Sequence, residues 1–138
     1  MTWMKSPLSL SVFAAIAVAL PILVSGCAPP VPDGPPRYEL SGSVTFDGKP
    51  VPAGEMILSP DTTQGNAGPG AIVMIKDGQY QTEPGAGIVG GAYTVQILGF
   101  DGVATEQSPE GTSIFPTYET TVEFPTENTT HDFEVPGS

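Results

Sequence analysis

The chain has 138 residues and a formal net charge of −11, because fifteen acidic residues outnumber four basic ones. This length predicts a single folded domain. Nucleic acid and anionic lipid surfaces are recognised through clusters of basic side chains, so the composition argues against both as partners. The only cysteine is Cys27, which excludes a disulfide within the chain.

The N-terminal residues have the layout of an export signal. Lys5 is the one charged side chain ahead of Cys27, and residues 8–24 are mainly apolar. A membrane-spanning helix needs about 20 consecutive apolar residues, and Pro21 breaks this run near its end. We therefore predict an export signal peptide over residues 1–26, with an uncleaved membrane anchor as the alternative.

A short motif ends the apolar run: Leu23-Val24-Ser25-Gly26-Cys27. An aliphatic residue, two small residues and a cysteine in this order resemble the lipobox of bacterial lipoproteins. The resemblance implies attachment of a diacylglyceryl group to the sulfur of Cys27, cleavage before this residue and further acylation, for example with palmitate. A free thiol or an intermolecular disulfide at Cys27 is the alternative.

The same resemblance implies a location. Two or three acyl chains hold a protein stably to a membrane, whereas a single acyl chain binds only marginally. We therefore predict a cell-envelope protein, anchored through Cys27 on the periplasmic or outer-surface side of a membrane. Both the inner and the outer membrane remain open.

Residues 27–37 are predicted to form a lipidated, proline-rich tether. Five prolines fall within residues 28–36, which favours an extended conformation without internal backbone hydrogen bonds. At about 3.1 Å per residue, such a segment places the folded domain about 25–30 Å from the lipid. Recognition of these prolines by a partner is the weaker interpretation.

From residue 38 to residue 138, short runs of alternating apolar and polar residues are separated by glycine, proline and aspartate. This pattern is typical of strands joined by tight turns. No long apolar stripe with helical spacing follows Cys27. We predict an all-β domain, a seven-stranded antiparallel sandwich. The predicted strands are residues 39–46, 55–58, 71–75, 79–82, 92–100, 118–124 and 131–135.

Three of these strands carry specific expectations. Residues 55–58 follow Pro50 and Pro52, which favours an edge strand or a bulge over a central strand. Residues 71–75 are continuously apolar, which predicts a strand buried on both faces. Residues 92–100 form the longest strand and the expected centre of the core. The predicted core residues are Leu40, Val44, Phe46, Met56, Leu58, Ile72, Met74, Tyr93, Val95, Ile97, Val122, Phe124, Phe133 and Val135.

Three segments of the body resemble carboxypeptidase regulatory-like domains. Residues 42–54 read GSVTFDGKPVPAG, residues 77–80 read DGQY, and residues 91–95 read GAYTV. The resemblance implies a transthyretin-like, seven-stranded sandwich of the kind found on exported bacterial proteins. Gly42 and Gly54 are interpreted as positions of close backbone approach or as bulges.

Transthyretin-like folds include enzymes, but the residues here argue against an enzyme. Hydroxyisourate hydrolases and intradiol dioxygenases use several histidines, whereas His131 is the only one in this chain. A lone imidazole lacks the orienting partner and nucleophile that catalysis needs, so we expect His131 to be a half-buried neighbour of Phe133. Asp47, Asp77 and Asp101 each precede a glycine, which indicates tight turns rather than calcium ligands. We predict no catalytic residue, cofactor or metal site.

The predicted function is that of a non-enzymatic interaction or scaffold module at the cell envelope. A small-ligand or carbohydrate-binding sandwich at the cell surface is the alternative. Loops 83–91 and 101–116 are the predicted contact surfaces, because loops on a rigid sandwich commonly carry recognition. The predicted partners are the membrane, reached through the lipid on Cys27, and an envelope protein or glycan.

Replacing Cys27 by serine should prevent lipidation, because the oxygen cannot take the place of the thiol sulfur. We expect Cys27→Ser to appear in soluble fractions or to keep its signal peptide, and to lose incorporation of labelled palmitate. Ser25→Ala, which keeps a small residue, is the control and should be processed normally. If Cys27→Ser fractionates and migrates as the wild type does, lipidation is wrong.

Overall fold

The structure is a computed structural model that describes Gly26 and residues 34–138. Nine β-strands lie within these residues. Cys27, the rest of the predicted signal peptide and the tether up to residue 33 lie outside the described residues. In the described part, the one helical segment is a 3-10 turn, Thr62–Gln64, and no helix is long and apolar enough to cross a membrane. The strands are β1 (Leu40–Phe46), β2 (Lys49–Pro50), β3 (Ala53–Pro60), β4 (Ala71–Lys76), β5 (Gln79–Gln81), β6 (Gly91–Phe100), β7 (Tyr118–Phe124), β8 (Thr129–Thr130) and β9 (Phe133–Val135).

The main path of the sheet has the order β2-β1-β5-β4-β3-β6-β7, and the sheet curls into a half-barrel. Neighbours along this path are antiparallel, whereas β8 and β9 pair with β1 in parallel. The prediction of an antiparallel all-β domain is confirmed. The strand count exceeds the predicted seven because β2 is additional and the C-terminal strand is divided into β8 and β9.

Two hairpins turn at Asp-Gly pairs, as the sequence predicts. Asp47 and Gly48 connect β1 to β2 with φ angles of 50° and 75°, and Asp77 and Gly78 connect β4 to β5 with 51° and 74°. A two-residue hairpin of this type needs positive φ at both central residues. Aspartate tolerates that conformation and glycine adopts it without steric cost.

The core lies on the inner face of the curled sheet. Tyr93, Val95 and Ile97 alternate along β6 and are fully buried, which confirms this strand as the centre of the core. Phe46 and Val122 are partly buried and pack against the same cluster. The buried hydrophobic cluster consists of Leu40, Val44, Val51, Met56, Leu58, Val73, Ile75, Tyr80, Ile88, Tyr93, Val95, Ile97, Phe115, Phe124, Phe133 and Val135.

The prediction that Ile72 and Met74 belong to the core is wrong. These side chains are 67% and 56% exposed, whereas Val73 and Ile75 are buried. An uninterrupted apolar run contains no polar residue to mark its outer face, so the pairing with β3 decides the orientation. Gly54 lies opposite Ile75 and leaves room for its side chain. Strand β4 is therefore covered on one face, not on both as predicted.

The prediction of an edge strand or a bulge at residues 55–58 is also wrong, because the register of β3 is continuous on both sides. Strand β3 is central, because it pairs with β4 on one side and with β6 on the other. Pro50 and Pro52 precede its first residue, and Pro60 is its last residue. These prolines therefore remove no donor from the interior of the strand, and they do not restrict it to an edge.

Two glycines permit close approach of the backbone, as predicted. A Cβ atom on Gly42 would collide with the carbonyl oxygen of His131, and one on Gly54 would collide with the carbonyl oxygen of Leu98. The first contact brings the C-terminal segment against β1. The second brings β6 against β3. Both strand pairings therefore depend on the absence of a side chain.

Replacing Ile97 by alanine should lower the free energy of unfolding by about 2–5 kcal/mol, because a fully buried side chain leaves a cavity. Ile72→Ala on the outer face is the matched control and should cost less than about 1 kcal/mol. Urea unfolding of the full-length protein, purified in one detergent, measures both. Equal costs for the two variants would contradict the assignment of inner and outer faces.

Candidate functional site

The two loops predicted as contact surfaces lie at opposite ends of β6. Loop 83–91 leads into the strand at Gly91, and loop 101–116 follows it after Phe100. Ten strand residues at about 3.3 Å per residue separate the loops by about 30 Å. The structure therefore does not bring the two loops together into one site.

Much of loop 83–91 belongs to the folded body. Ile88 is fully buried and exchanges backbone hydrogen bonds of 2.6 and 2.9 Å with Tyr38. The guanidinium of Arg37, the last residue of the predicted tether, donates to the carbonyl oxygen of Gly87 at 2.9 Å. The exposed tip is therefore short, comprising residues 83–86.

Loop 101–116 is closed by its first residue. The Asp101 carboxylate accepts hydrogen bonds from the backbone N–H groups of Val103 at 2.9 Å and Thr112 at 3.1 Å. Near the other end of the loop, Phe115 is buried in the core, so the loop folds back onto the sheet. Val103 remains 65% exposed, and it offers a single apolar side chain rather than a patch.

His131 is half-buried beside Phe133, as predicted. Its ring centroid lies 4.6 Å from that of Phe133 and 5.7 Å from that of Phe124. The Tyr80 hydroxyl donates to the carbonyl oxygen of His131 at 2.5 Å. Burial, and secondarily the charge of Asp132, raise the pKa of Tyr80, so its hydroxyl remains protonated and keeps this hydrogen bond.

Asp132 fastens the same segment to β1. Its carboxylate accepts hydrogen bonds from the backbone N–H and the hydroxyl of Ser43, both at 2.9 Å. These hydrogen bonds, and to a smaller extent the charge of His131, lower the pKa of Asp132. The folded state therefore favours the ionised carboxylate. In this form, Asp132 attaches the residues between β8 and β9 to β1.

The outer face of the sheet carries an apolar patch. The exposed Ile72 and Met74 of β4 lie opposite Ile57 and Glu55 of β3. Glu55 in turn lies opposite Leu98 of β6. Directly opposed residues of antiparallel strands share a face, and Ile57 and Leu98 are half-buried there. We name Ile57, Ile72, Met74 and Leu98 the outer patch.

A groove of about 450 Å³ adjoins the outer patch at Met74 and extends across β4, β5 and β1 toward β8. An ammonium group, two amides and a carboxylate face this space, which we name the outer groove. Tyr80 also borders it but is only 4% exposed, so its ring offers no stacking surface. The four side chains are Lys76, Gln79, Gln81 and Asp132.

A second groove, of about 340 Å³, lies at the end of the sheet near loop 83–91. Asn66 borders it, but its amide already donates to the carbonyl oxygens of Ala92 at 2.8 Å and Gly90 at 3.2 Å. Gln64 and Glu123 are the other strongly polar side chains there. The second groove therefore offers fewer groups to a ligand than the outer groove does.

Neither the outer patch nor the outer groove is among the surfaces predicted from sequence. The sequence does contain a signal for the patch, because residues 71–75 are all apolar and a strand with a single covered face must expose some of them. It contains no comparable signal for the groove. Its side chains come from separate strands and turns that meet only in the folded sheet.

Replacing Asp132 by asparagine should destabilise the protein at pH 7 but not in acid. The pKa of Asp132 in the folded state lies below its ordinary value of 3.8, so its stabilisation is present above that value. It is lost as the pH falls through the lower, folded-state pKa. We expect the wild type and Asp132→Asn to differ in free energy of unfolding at pH 7 and to converge as the pH falls below 3.8.

Urea unfolding across this pH range measures the effect, and Ser43→Ala is the control that removes one of the two donors. In the Ser43→Ala background, the effect of Asp132→Asn should be smaller. A difference between wild type and Asp132→Asn that is constant with pH would show that the carboxylate charge does not stabilise this junction.

Within the described residues, no group of three histidine, cysteine, aspartate or glutamate side chains is placed to hold a metal ion. No family model, curated protein or solved structure matches the chain. The exposure and contacts of the chain's own residues are therefore the basis for inferring its function.

Proposed function

We propose that this chain is a non-enzymatic interaction or scaffold module of the cell envelope. The lipid on Cys27 holds it to a membrane, and the proline-rich tether carries the β domain away from the lipid surface. The outer patch is its contact surface for another envelope protein. The exposure of Ile72 and Met74 is the observation that carries this proposal.

We also propose that the β domain is a carboxypeptidase regulatory-like domain with a transthyretin-like sandwich. The support for this fold is that two groups of strands share β1. The first half of β1 pairs with β5 and β8, and its second half pairs with β2 and β9. Side chains from both groups, among them Tyr80 and Phe133, meet in one core. In a sandwich, the two groups would belong to different layers that meet in one core.

The outer patch has the properties of a protein contact. Isolated exposed apolar residues are common on protein surfaces, but neighbouring ones on a rigid sheet indicate an interaction site. Each square ångström of apolar surface removed from water contributes about 25 cal/mol. Because Ile72 and Met74 project from paired strands, the backbone is already ordered, and a partner that covers them restricts only their side chains.

The charges favour a basic partner. Glu55 stands between Met74 and Leu98 on the outer face, and the chain carries a net charge of −11. Lys76 is the one cation in the adjoining outer groove. A complementary surface therefore presents apolar side chains to the outer patch and a lysine or arginine to Glu55.

Carbohydrate binding in the outer groove is the second candidate function. The observation that favours it is the convergence of Lys76, Gln79, Gln81 and Asp132 on one open space. Amide and charged side chains match the hydroxyl groups of a saccharide. Stacking on an aromatic ring, which strengthens many carbohydrate sites, is not offered by the buried Tyr80.

The double variant Ile72→Thr with Met74→Thr should abolish the contact with a partner without unfolding the domain. Threonine keeps a branched Cβ suited to a strand and removes most of the apolar surface. A photoreactive amino acid placed at position 57 in intact cells should form one discrete protein adduct, and the double variant should lose it. Val103→Thr is the matched control, because Val103 is similarly exposed but lies in loop 101–116, outside the outer patch.

Two outcomes would contradict the proposal. One is an adduct that persists in the double variant, and the other is equal loss in Val103→Thr. A saccharide that raises the melting temperature of the wild type but not of Gln79→Ala with Gln81→Ala, with no adduct formed, would support the second candidate instead.

A further inference from the structure

Strand β7 is the last strand of the main path of the sheet. All seven of its residues pair with β6, from Tyr118 opposite Ile97 to Phe124 opposite Gly91. Among the described residues, no backbone hydrogen bond joins β7 to any other strand or loop. About half of the backbone N–H and C=O groups of such a strand point away from its neighbour. The free edge of β7 therefore presents a row of groups that can pair with another strand.

This edge lacks most of the features that protect exposed strands. Proteins block such edges with charged side chains, especially lysine, with proline or with a β-bulge. Strand β7 contains neither proline, glycine nor lysine, and its register with β6 runs without a skipped residue. Pro116 and Pro125 lie outside the strand. The result is an uninterrupted edge about 20 Å long.

The two faces of the edge differ in chemistry. Glu119 and Glu123 project from the outer face and are exposed. The Gln96 amide donates to the Glu119 carboxylate at 2.8 Å and holds it in place. Tyr118 and Val122 project inward but are only half-buried. An added strand would cover this inner row and would meet carboxylates on its outer side.

A second copy of the chain fits this edge poorly. Antiparallel pairing of two β7 strands about Thr121 would place Glu119 of each copy opposite Glu123 of the other. Like charges that lie directly opposite each other destabilise a strand pair. The net charge of −11 on each copy adds to the repulsion.

We infer that the free edge of β7 docks an extended, cationic segment of a partner protein, which joins the sheet as an additional strand. Backbone hydrogen bonds to β7 supply affinity that does not depend on sequence. Lysine or arginine at alternate positions of the segment pairs with Glu119 and Glu123. The apolar residues between these cations cover Tyr118 and Val122, so an alternating basic and apolar strand is selected.

The docking edge is separate from the outer patch of the proposed function. The patch lies on the face of β4, β3 and β6, whereas the docking edge is the free side of β7. The Ile72→Thr and Met74→Thr variant should therefore leave docking at β7 unchanged. An experiment can therefore contradict the contact at the outer patch without contradicting docking at β7, and the reverse is also true.

The probe is a short capped peptide in which valine and lysine alternate, titrated onto the full-length protein in neutral detergent. We expect saturable binding that weakens with salt and slows hydrogen exchange of the backbone amides of β7. The double variant Glu119→Gln with Glu123→Gln should weaken binding about tenfold. The control is Gln79→Lys with Gln81→Lys, which changes the net charge equally but on β5, and binding should weaken much less.

A second peptide separates strand pairing from charge attraction. It has the same sequence but carries N-methyl groups on alternate backbone nitrogens, so it keeps its charge and loses its donors. We expect this peptide to bind at least about tenfold more weakly. Equal binding of the two peptides, an equal loss in the β5 control or unchanged hydrogen exchange in β7 would each overturn the inference.

Discussion

The C-terminal segment meets β1 at one crowded point, and the closure of the fold depends on it. Because Gly42 has no side chain, the carbonyl oxygen of His131 lies directly against β1, where the Tyr80 hydroxyl reaches it. Asp132 then binds Ser43 through two hydrogen bonds. These contacts direct β8 and β9 along β1 in parallel and place two side chains of β9 in the core. Any side chain at position 42 would displace the carbonyl group and, with it, the C-terminal segment.

Curling of the sheet makes its two faces unequal. The inner face is filled by side chains from both groups of strands that share β1, so the apolar residues of β4 divide between a buried pair and an exposed pair. Exposure of Ile72 and Met74 contributes nothing to the stability of the isolated domain, but their burial by a partner would be favourable. The same sheet leaves β7 with a free edge. The two proposed contacts therefore use different parts of the sheet, one its outer face and the other its free edge.

Acidic side chains favour a basic partner at both the outer patch and the free edge of β7. Glu55 lies between Met74 and Leu98 of the outer patch, and Glu119 and Glu123 line the free edge of β7. Like charges oppose association of two copies, whereas a basic partner is attracted from a distance and paired on contact. In both proposed contacts, the charge pattern selects the partner, and the apolar and backbone groups supply most of the affinity.

The sequence by itself determined the all-β class, the Asp-Gly hairpins and the alternation that buries Tyr93, Val95 and Ile97, because these are local properties of neighbouring residues. Tertiary structure alone decided the orientation of β4. In an all-apolar run, either set of alternate residues could face the core, and the pairing with β3 selects Val73 and Ile75. A shift of one residue in this pairing would bury the other set instead. It also decided the central position of β3, the distance between the two predicted contact loops and the outer groove. These features depend on which distant strands become neighbours, and pairing between distant strands leaves no mark in local spacing.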